Sequence, residues 1–262
     1  MTTQNAPRTA RQRARAELTR EITEEARRQL AATGANGLSL RAVARELGMV
    51  SSALYRYYPS RDDLLTALII DAYNSIGEAA ETAVADTGGG AGGGRARWLA
   101  ACHAIRAWAL DRPHEYALIY GSPVPGYRAP EATIGPAARV PLAFVGVLAA
   151  AITGGEVTAD ADGGAGALTG ALADQAAALS AALALDPSAP NAAVVPPGLL
   201  VRGVAAWTQL FGMISFELFG QFVGSFEPAD AFFAHAIAQS ATLVGLPDPV
   251  EGRGRDHEGF VQ

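Results

Sequence analysis

The stretch LSLRAVARELGMVSSALYRYYPSRDDLL, Leu38–Leu65, decides how this chain folds at its N-terminal end. Ser39 is suited to cap a helix, and Leu40, Val43, Ala44 and Leu47 come after it at the i, i+3, i+4, i+7 spacing of one packed face. Gly48 stops that helix. The spacing predicts a second, short helix from about Val50 to Tyr57, ended ahead of Pro59, and a third that starts after the cap Ser60 and runs through Asp62, Asp63, Leu64, Leu65, Leu68, Ile69 and Ala72. Two short helices joined by a glycine turn are the elements of a helix-turn-helix, in which the first helix packs and the second is left free to enter a groove. On helical spacing Ser51, Ser52, Tyr55 and Arg56 share one face, while Ala53, Leu54 and Tyr57 point the other way. Serine hydroxyls read base edges weakly, arginine pairs with guanine and a tyrosine hydroxyl suits phosphate.

The charge supports a nucleic-acid partner for this end. Through Arg61 the chain carries 11 arginines against five acidic residues, a net of +6, and from Asp62 onward it nets −12, for −6 in all 262 residues. Phosphate neutralisation supplies most non-specific affinity for DNA, so a basic segment on an acidic body divides the partners of the two parts. N-terminal to Leu38, the residues Leu18, Ile22, Ala26 and Leu30 predict a helix from about Arg11 to Ala32, closed by Gly34 and Gly37. The arginines Arg8, Arg11, Arg13 and Arg15 are either a solubilising tail or an arm on DNA.

Alanine and leucine dominate the rest of the chain, and strand-type alternation is nowhere sustained, so the fold class expected is all-α. The division expected is a helix-turn-helix domain over 11–60, a larger helical ligand-binding and dimerisation domain over 61–246, and disordered tails at 1–10 and 247–262. The runs Gly88–Gly94, Gly154–Gly166 and Pro187–Pro197 are linkers by composition, the last two flanking an alanine-rich helix, Ala167–Leu185. Gly121–Pro130 is an ordered-looking loop next to Tyr120 and containing Tyr127. Gly198–Phe222 and Pro228–Val244 are apolar nearly all round and need burial on more than one side, as a homodimer interface supplies.

Catalytic motifs are lacking: there is no HExxH, no GxSxG and no phosphate loop, since the glycine run has no following Lys and Ser/Thr. No cofactor is expected, and the single cysteine, Cys102, excludes an internal disulfide and a cysteine metal cluster. The longest uncharged apolar run, Val140–Ile152, falls short of the roughly 20 residues that span a bilayer. The N-terminus lacks the build of a secretory signal, which gives a cytoplasmic, membrane-free expectation. In the C-terminal part, His103 and Arg106 lie one turn apart and can meet a ligand's polar group. Trp98, Trp108, Trp207 and Phe211 either line an apolar cavity beside the loop bearing Tyr127 or simply fill the core.

Leu38–Leu65 resembles the DNA-binding domain of the tetracycline-repressor (TetR) family, through its capped helix, central glycine, helix-three tyrosine, short aromatic stretch and Pro-Ser-basic-acidic run. The resemblance covers about residues 11–70. It implies that Arg41 contacts DNA, that Ser51, Ser52, Ala53 and Arg56 face bases, and that Tyr55, Tyr57 and Arg61 hold phosphates. Val50 stands where the family often has a serine cap, and Tyr57 where histidine is common. Asp111–Tyr127 and Ala206–Phe222 resemble the C-terminal domain of a TetR subfamily named for a Trp-His-Gly motif, with Phe211 where that name calls for histidine. The implied function is a homodimeric repressor on a palindromic double-stranded operator, released by an unidentified small-molecule effector that His103, Arg106, Trp108, Tyr120, Tyr127, Trp207 and Phe211 would contact. The alternatives are a helical protein-interaction module and an activator without small-molecule release.

Overall fold

In the computed structural model the described residues are 10–88, 93–157, 168–189, 195–246 and 248, and among them there is no strand. The tails and most of the three linkers expected from composition lie outside these residues. Ten helices are described: α1 (Ala10–Gly37), α2 (Leu40–Glu46), α3 (Ser51–Leu54), α4 (Arg61–Asp86), α5 (Gly94–Asp111), α6 (Pro113–Tyr120), α7 (Ile134–Thr153), α8 (Gly170–Leu185), α9 (Pro197–Leu218) and α10 (Asp230–Leu243). They form two compact units, one of residues up to Asn74 with Arg112–Pro136, the other of Ser75–Asp111 with the chain from Ala137. The two units share α4, and α6 with the loop after it belongs to the N-terminal one.

The N-terminal unit closes around Ile22 and Ala26 of α1, Val43 and Ala44 of α2, Leu54 of α3 and Leu64, Leu65 and Leu68 of α4, all buried. Its connections are fixed by local chemistry. The α2–α3 turn is a Schellman closure, with the Gly48 amide donating to Arg45 O at 3.1 Å and the Met49 amide to Ala44 O at 2.8 Å. Gly48 sits at φ 64°, a conformation that a side chain disfavours. Ser60 and Asp63 form a capping pair at the start of α4: the Asp63 amide donates to Ser60 Oγ at 3.1 Å and that hydroxyl donates to Asp63 Oδ2 at 2.7 Å. Arg27 of α1 ties α4 through Asp71, at 2.8 Å, and α6 through Glu115, at 3.4 Å.

α3 is shorter than expected, ending at Leu54 with Tyr55–Tyr57 continuing as a turn. Val50 at its N-cap provides no side-chain acceptor, so the helix starts without a cap bond. Pro113, read as a break, instead opens α6 from its first turn, where the missing amide proton costs nothing.

In the second unit, indole donors lock the helices. Trp98 Nε1 of α5 donates to Ser240 Oγ of α10 at 3.0 Å with both groups buried, and Trp108 Nε1 donates to Ser75 Oγ of α4 at 2.9 Å. Trp98 also packs on Phe144 of α7 at 4.6 Å between ring centroids. The segment Glu131–Thr153 and α9 are long and apolar enough, by length and composition, to cross a membrane. Their buried rows, Val140, Phe144, Val147 and Leu148 on α7 and Leu199, Ala206, Leu210 and Ile214 on α9, make them core helices here.

Cys102 on α5 is buried, and burial pushes its thiol well above the ordinary range, which suppresses the reactive thiolate. Native protein at neutral pH is expected to resist iodoacetamide for hours and to be alkylated promptly in denaturant. Mass spectrometry showing fast native labelling would contradict this packing.

Candidate DNA interface and effector cavity

The orientation of α3 is set by which residue the core takes. Leu54 is fully buried, so Ser51, Ser52, Tyr55 and Arg56 are turned to solvent while Ala53 and Tyr57 are half-buried. This is the face assignment that helical spacing implied. Tyr55 keeps 42% of its surface exposed, and so large an exposed aromatic with a polar tip suits a surface that meets a partner. Arg15 of α1 lies over the Tyr57 ring, 5.6 Å from its centroid, holding that ring by a cation–π contact.

Arg41 and Tyr55 border an open depression of about 440 Å³ whose rim also holds Ser39, Ser60 and Arg61. It joins the α2 N-terminus, which favours anions, to exposed hydroxyl and guanidinium donors. Arg61, for which the resemblance implies a phosphate contact, has partners within the protein. Its Nη2 donates to Ala35 O at 2.6 Å and its Nε to Leu38 O at 3.2 Å, while Nη1 reaches Asp62 at 3.4 Å. The guanidinium thus closes the α1–α2 corner and positions α2, an effect that the sequence motif alone does not show.

Of the seven residues expected to contact an effector, Tyr120 and Tyr127 belong to the N-terminal unit and the other five to the second. His103 is exposed and lies 5.7 Å from the Phe233 ring. Arg106 is held by Glu217 of α9 through Nε at 2.7 Å and Nη2 at 2.6 Å, by Asp230 through Nη1 at 2.9 Å, and lies 4.8 Å from the Phe233 centroid. The paired carboxylates hold the Arg106 guanidinium firmly charged, and it ties α5 to α9 and α10. Trp108 is buried, its indole taken up by Ser75. Tyr120 and Tyr127 sit in the N-terminal unit: Tyr120 packs edge-on against Tyr73 at 5.9 Å, burial raising its phenol, and the Tyr127 hydroxyl shares a hydrogen bond with Thr66 at 2.8 Å.

Trp207 alone of the seven lines the cavity of the second unit, with the Phe211 ring tilted beside it at 5.6 Å between centroids. That cavity is about 360 Å³. α7 contributes Pro141, Leu142, Phe144, Val145 and Leu148, α8 contributes Leu179 and Leu183, and α9 contributes Leu200, Gly203, Val204 and Trp207. The Trp207 Nε1 atom is buried and has no hydrogen-bond partner among the described residues. Such a donor costs about 1–3 kcal/mol and calls for an explanation. Sequence reasoning misses the α7 and α8 walls because helices this rich in alanine and leucine, with one charged residue each, Arg139 and Asp174, show little of a face in their sequence, and Asp186 carries no motif at all.

Two families of bacterial regulators match this chain. Residues 22–68 match the one described as "Bacterial regulatory proteins, tetR family", and residues 98–240 match "Tetracyclin repressor-like, C-terminal domain". The second match includes both Asp111–Tyr127 and Ala206–Phe222. The HTH-type transcriptional regulators Rv1816 of Mycobacterium tuberculosis and Mb1846 of Mycobacterium bovis are each 40% identical over 220 residues, covering 81% of this chain and 85% of theirs. The crystal structure of a protein described as regulatory, SCO4313, superposes with a TM-score of 0.65 at 33% identity, over 90% of this chain and all of that one. A Rhodococcus sp. RHA1 protein of unknown function shares the fold, with a TM-score of 0.60 at 21% identity, over 92% and 97% of the two chains.

Proposed function

We propose, from the premise that this chain belongs to the TetR family and is a DNA-binding transcriptional regulator rather than an enzyme, that it acts in the cytoplasm as a homodimeric repressor released by a small apolar effector. The observation that carries the reading is the exposed face of α3, Ser51, Ser52, Tyr55 and Arg56, held outward by buried Leu54 in a segment of net positive charge. A dimer places two such faces on successive major grooves of a palindrome, one turn or a multiple apart. Its interface is proposed on α9, α10 and the chain between them, where Phe216, Phe219, Val223, Phe226 and Leu243 remain exposed. The effector is placed in the cavity among α7, α8 and α9. A ligand releases DNA only by binding one placement of the two helix-turn-helix units better than another, and α4, whose halves belong to the two units, is the proposed lever.

Selection of bound duplexes from a random pool tests the groove assignment. Ser52→Ala and Arg56→Ala are expected to change which bases are recovered, whereas Arg41→Ala and Tyr55→Phe should weaken every duplex by about fivefold to tenfold while keeping the same consensus. If all four variants lose affinity uniformly and keep the consensus, α3 does not lie in the groove as proposed.

A further inference from the structure

We infer that the effector cavity selects a largely hydrocarbon molecule that is not an anion and that carries one hydrogen-bond acceptor, read by the indole Nε1 of Trp207. This rests on the reading of that cavity as the effector site. Of the thirteen described residues that line it, only Trp207 and Asp186 bring polar side-chain atoms. The Trp207 donor is buried and unmatched, so an ester, ketone or ether oxygen in the cavity would satisfy it, whereas a pure hydrocarbon would leave it orphaned. Asp186 supplies the one charge. Its Oδ1 accepts the Ser188 amide at 2.7 Å, and no arginine is among the lining residues, so a carboxylate or phosphate entering the cavity would lose its hydration without gaining a cation. The remaining lining is aliphatic or phenyl, which fits an apolar body. Size is set on one side by Gly203, whose missing side chain leaves the cavity open in front of Leu148: a Cβ there would lie 3.4 Å from the Leu148 side chain.

The test uses the full chain without DNA, with the neutral dye N-phenyl-1-naphthylamine as fluorescent probe and three matched competitors, methyl 2-naphthoate, 2-ethylnaphthalene and 2-naphthoate. The ester is expected to displace the dye at a concentration about fivefold lower than the hydrocarbon and more than about tenfold lower than the carboxylate. Trp207→Phe should erase the preference for ester over hydrocarbon and leave the rejection of carboxylate, while Asp186→Asn should narrow that rejection. Gly203→Leu, which fills the cavity from a helical position, should reduce dye binding at unchanged far-UV circular dichroism, and Val204→Trp at a half-exposed position serves the same purpose should Gly203→Leu not fold. Equal competition by 2-naphthoate, an ester preference that survives Trp207→Phe, or dye binding that survives the filling variants would overturn the inference. Operator binding is measured separately. If the competitor pattern holds and operator affinity does not respond, the cavity chemistry stands and the release reading fails; if the pattern fails while operator binding persists, this inference alone falls.

Discussion

Replacing Phe216 and Phe219 together by aspartate is expected to turn the proposed dimer into monomers at micromolar concentration and to abolish operator binding at concentrations that saturate with the parent protein. These two rings are 54% and 49% exposed within one chain and sit near Val223 and Phe226 in sequence, which are more than half exposed. Burial of a phenylalanine contributes about 1.5–3 kcal/mol, and two-fold symmetry doubles each contribution, so losing four rings and burying four carboxylates weakens association by roughly a thousandfold or more. Because the rings protrude, the protomer itself should keep its helical content. Operator affinity depends on the dimer, since one half-site alone makes half the contacts and forfeits the gain from linking two. Light scattering together with circular dichroism checks the first step. A variant that stays dimeric places the interface elsewhere.

Arg106→Met is expected to lower stability by about 2–4 kcal/mol, because it leaves a mostly enclosed carboxylate without its partner. The Arg106 side chain is 11% exposed and that of Glu217 18%, whereas Asp230 is largely in solvent and adds little. The double variant Arg106→Met with Glu217→Leu should recover much of the loss, since removing both charges leaves no orphan. The sign with pH is set by Asp230, whose carboxyl is held below its ordinary range by the hydrogen bond from Arg106 and then by its charge. A depressed carboxyl stabilises the fold above its unfolded pKa of about 3.9, and that part is lost as pH falls through the lower folded value. The gap between parent and variant in urea denaturation should therefore narrow slightly in acid, as an exposed carboxyl allows. A variant of parental stability would mean that the α5–α9–α10 tie is not formed.

What can be read from the sequence is whatever depends on near neighbours. The face of α3, the caps at Ser39 and Ser60 and the turn at Gly48 are set within seven or eight residues, and their periodicity is visible in the chain. α6 is not legible because Pro113 reads equally as the end of one helix and the first turn of the next. The partners of the residues expected around an effector are illegible for a different reason. Arg106 and His103 share a helix face, but what Arg106 does is decided by Glu217 and Asp230, more than a hundred residues away, and no local spacing announces such a partner. Tyr120 and Tyr127 look adjacent to the sensing part in sequence, yet the chain returns at Arg112–Pro136 to the N-terminal unit. Trp207 stands out in sequence for being aromatic, and the structure supplies the better reason in its unmatched indole. The cavity walls on α7 and α8 come from helices that are mostly alanine, leucine and valine, so their sequence does not distinguish a lined cavity from a filled core.

The central claim, that the α2–α3 surface binds DNA through phosphate contacts and a base-reading face, is met most directly by fluorescence anisotropy on duplex DNA from upstream of the gene itself, titrated across salt. With six or more phosphates neutralised per dimer, affinity should fall about a thousandfold or more between 50 and 200 mM salt, and Arg41→Ala should reduce the log–log slope by about two, one for each half-site. Absence of binding at the lowest salt, or binding that salt leaves unchanged, would contradict the account.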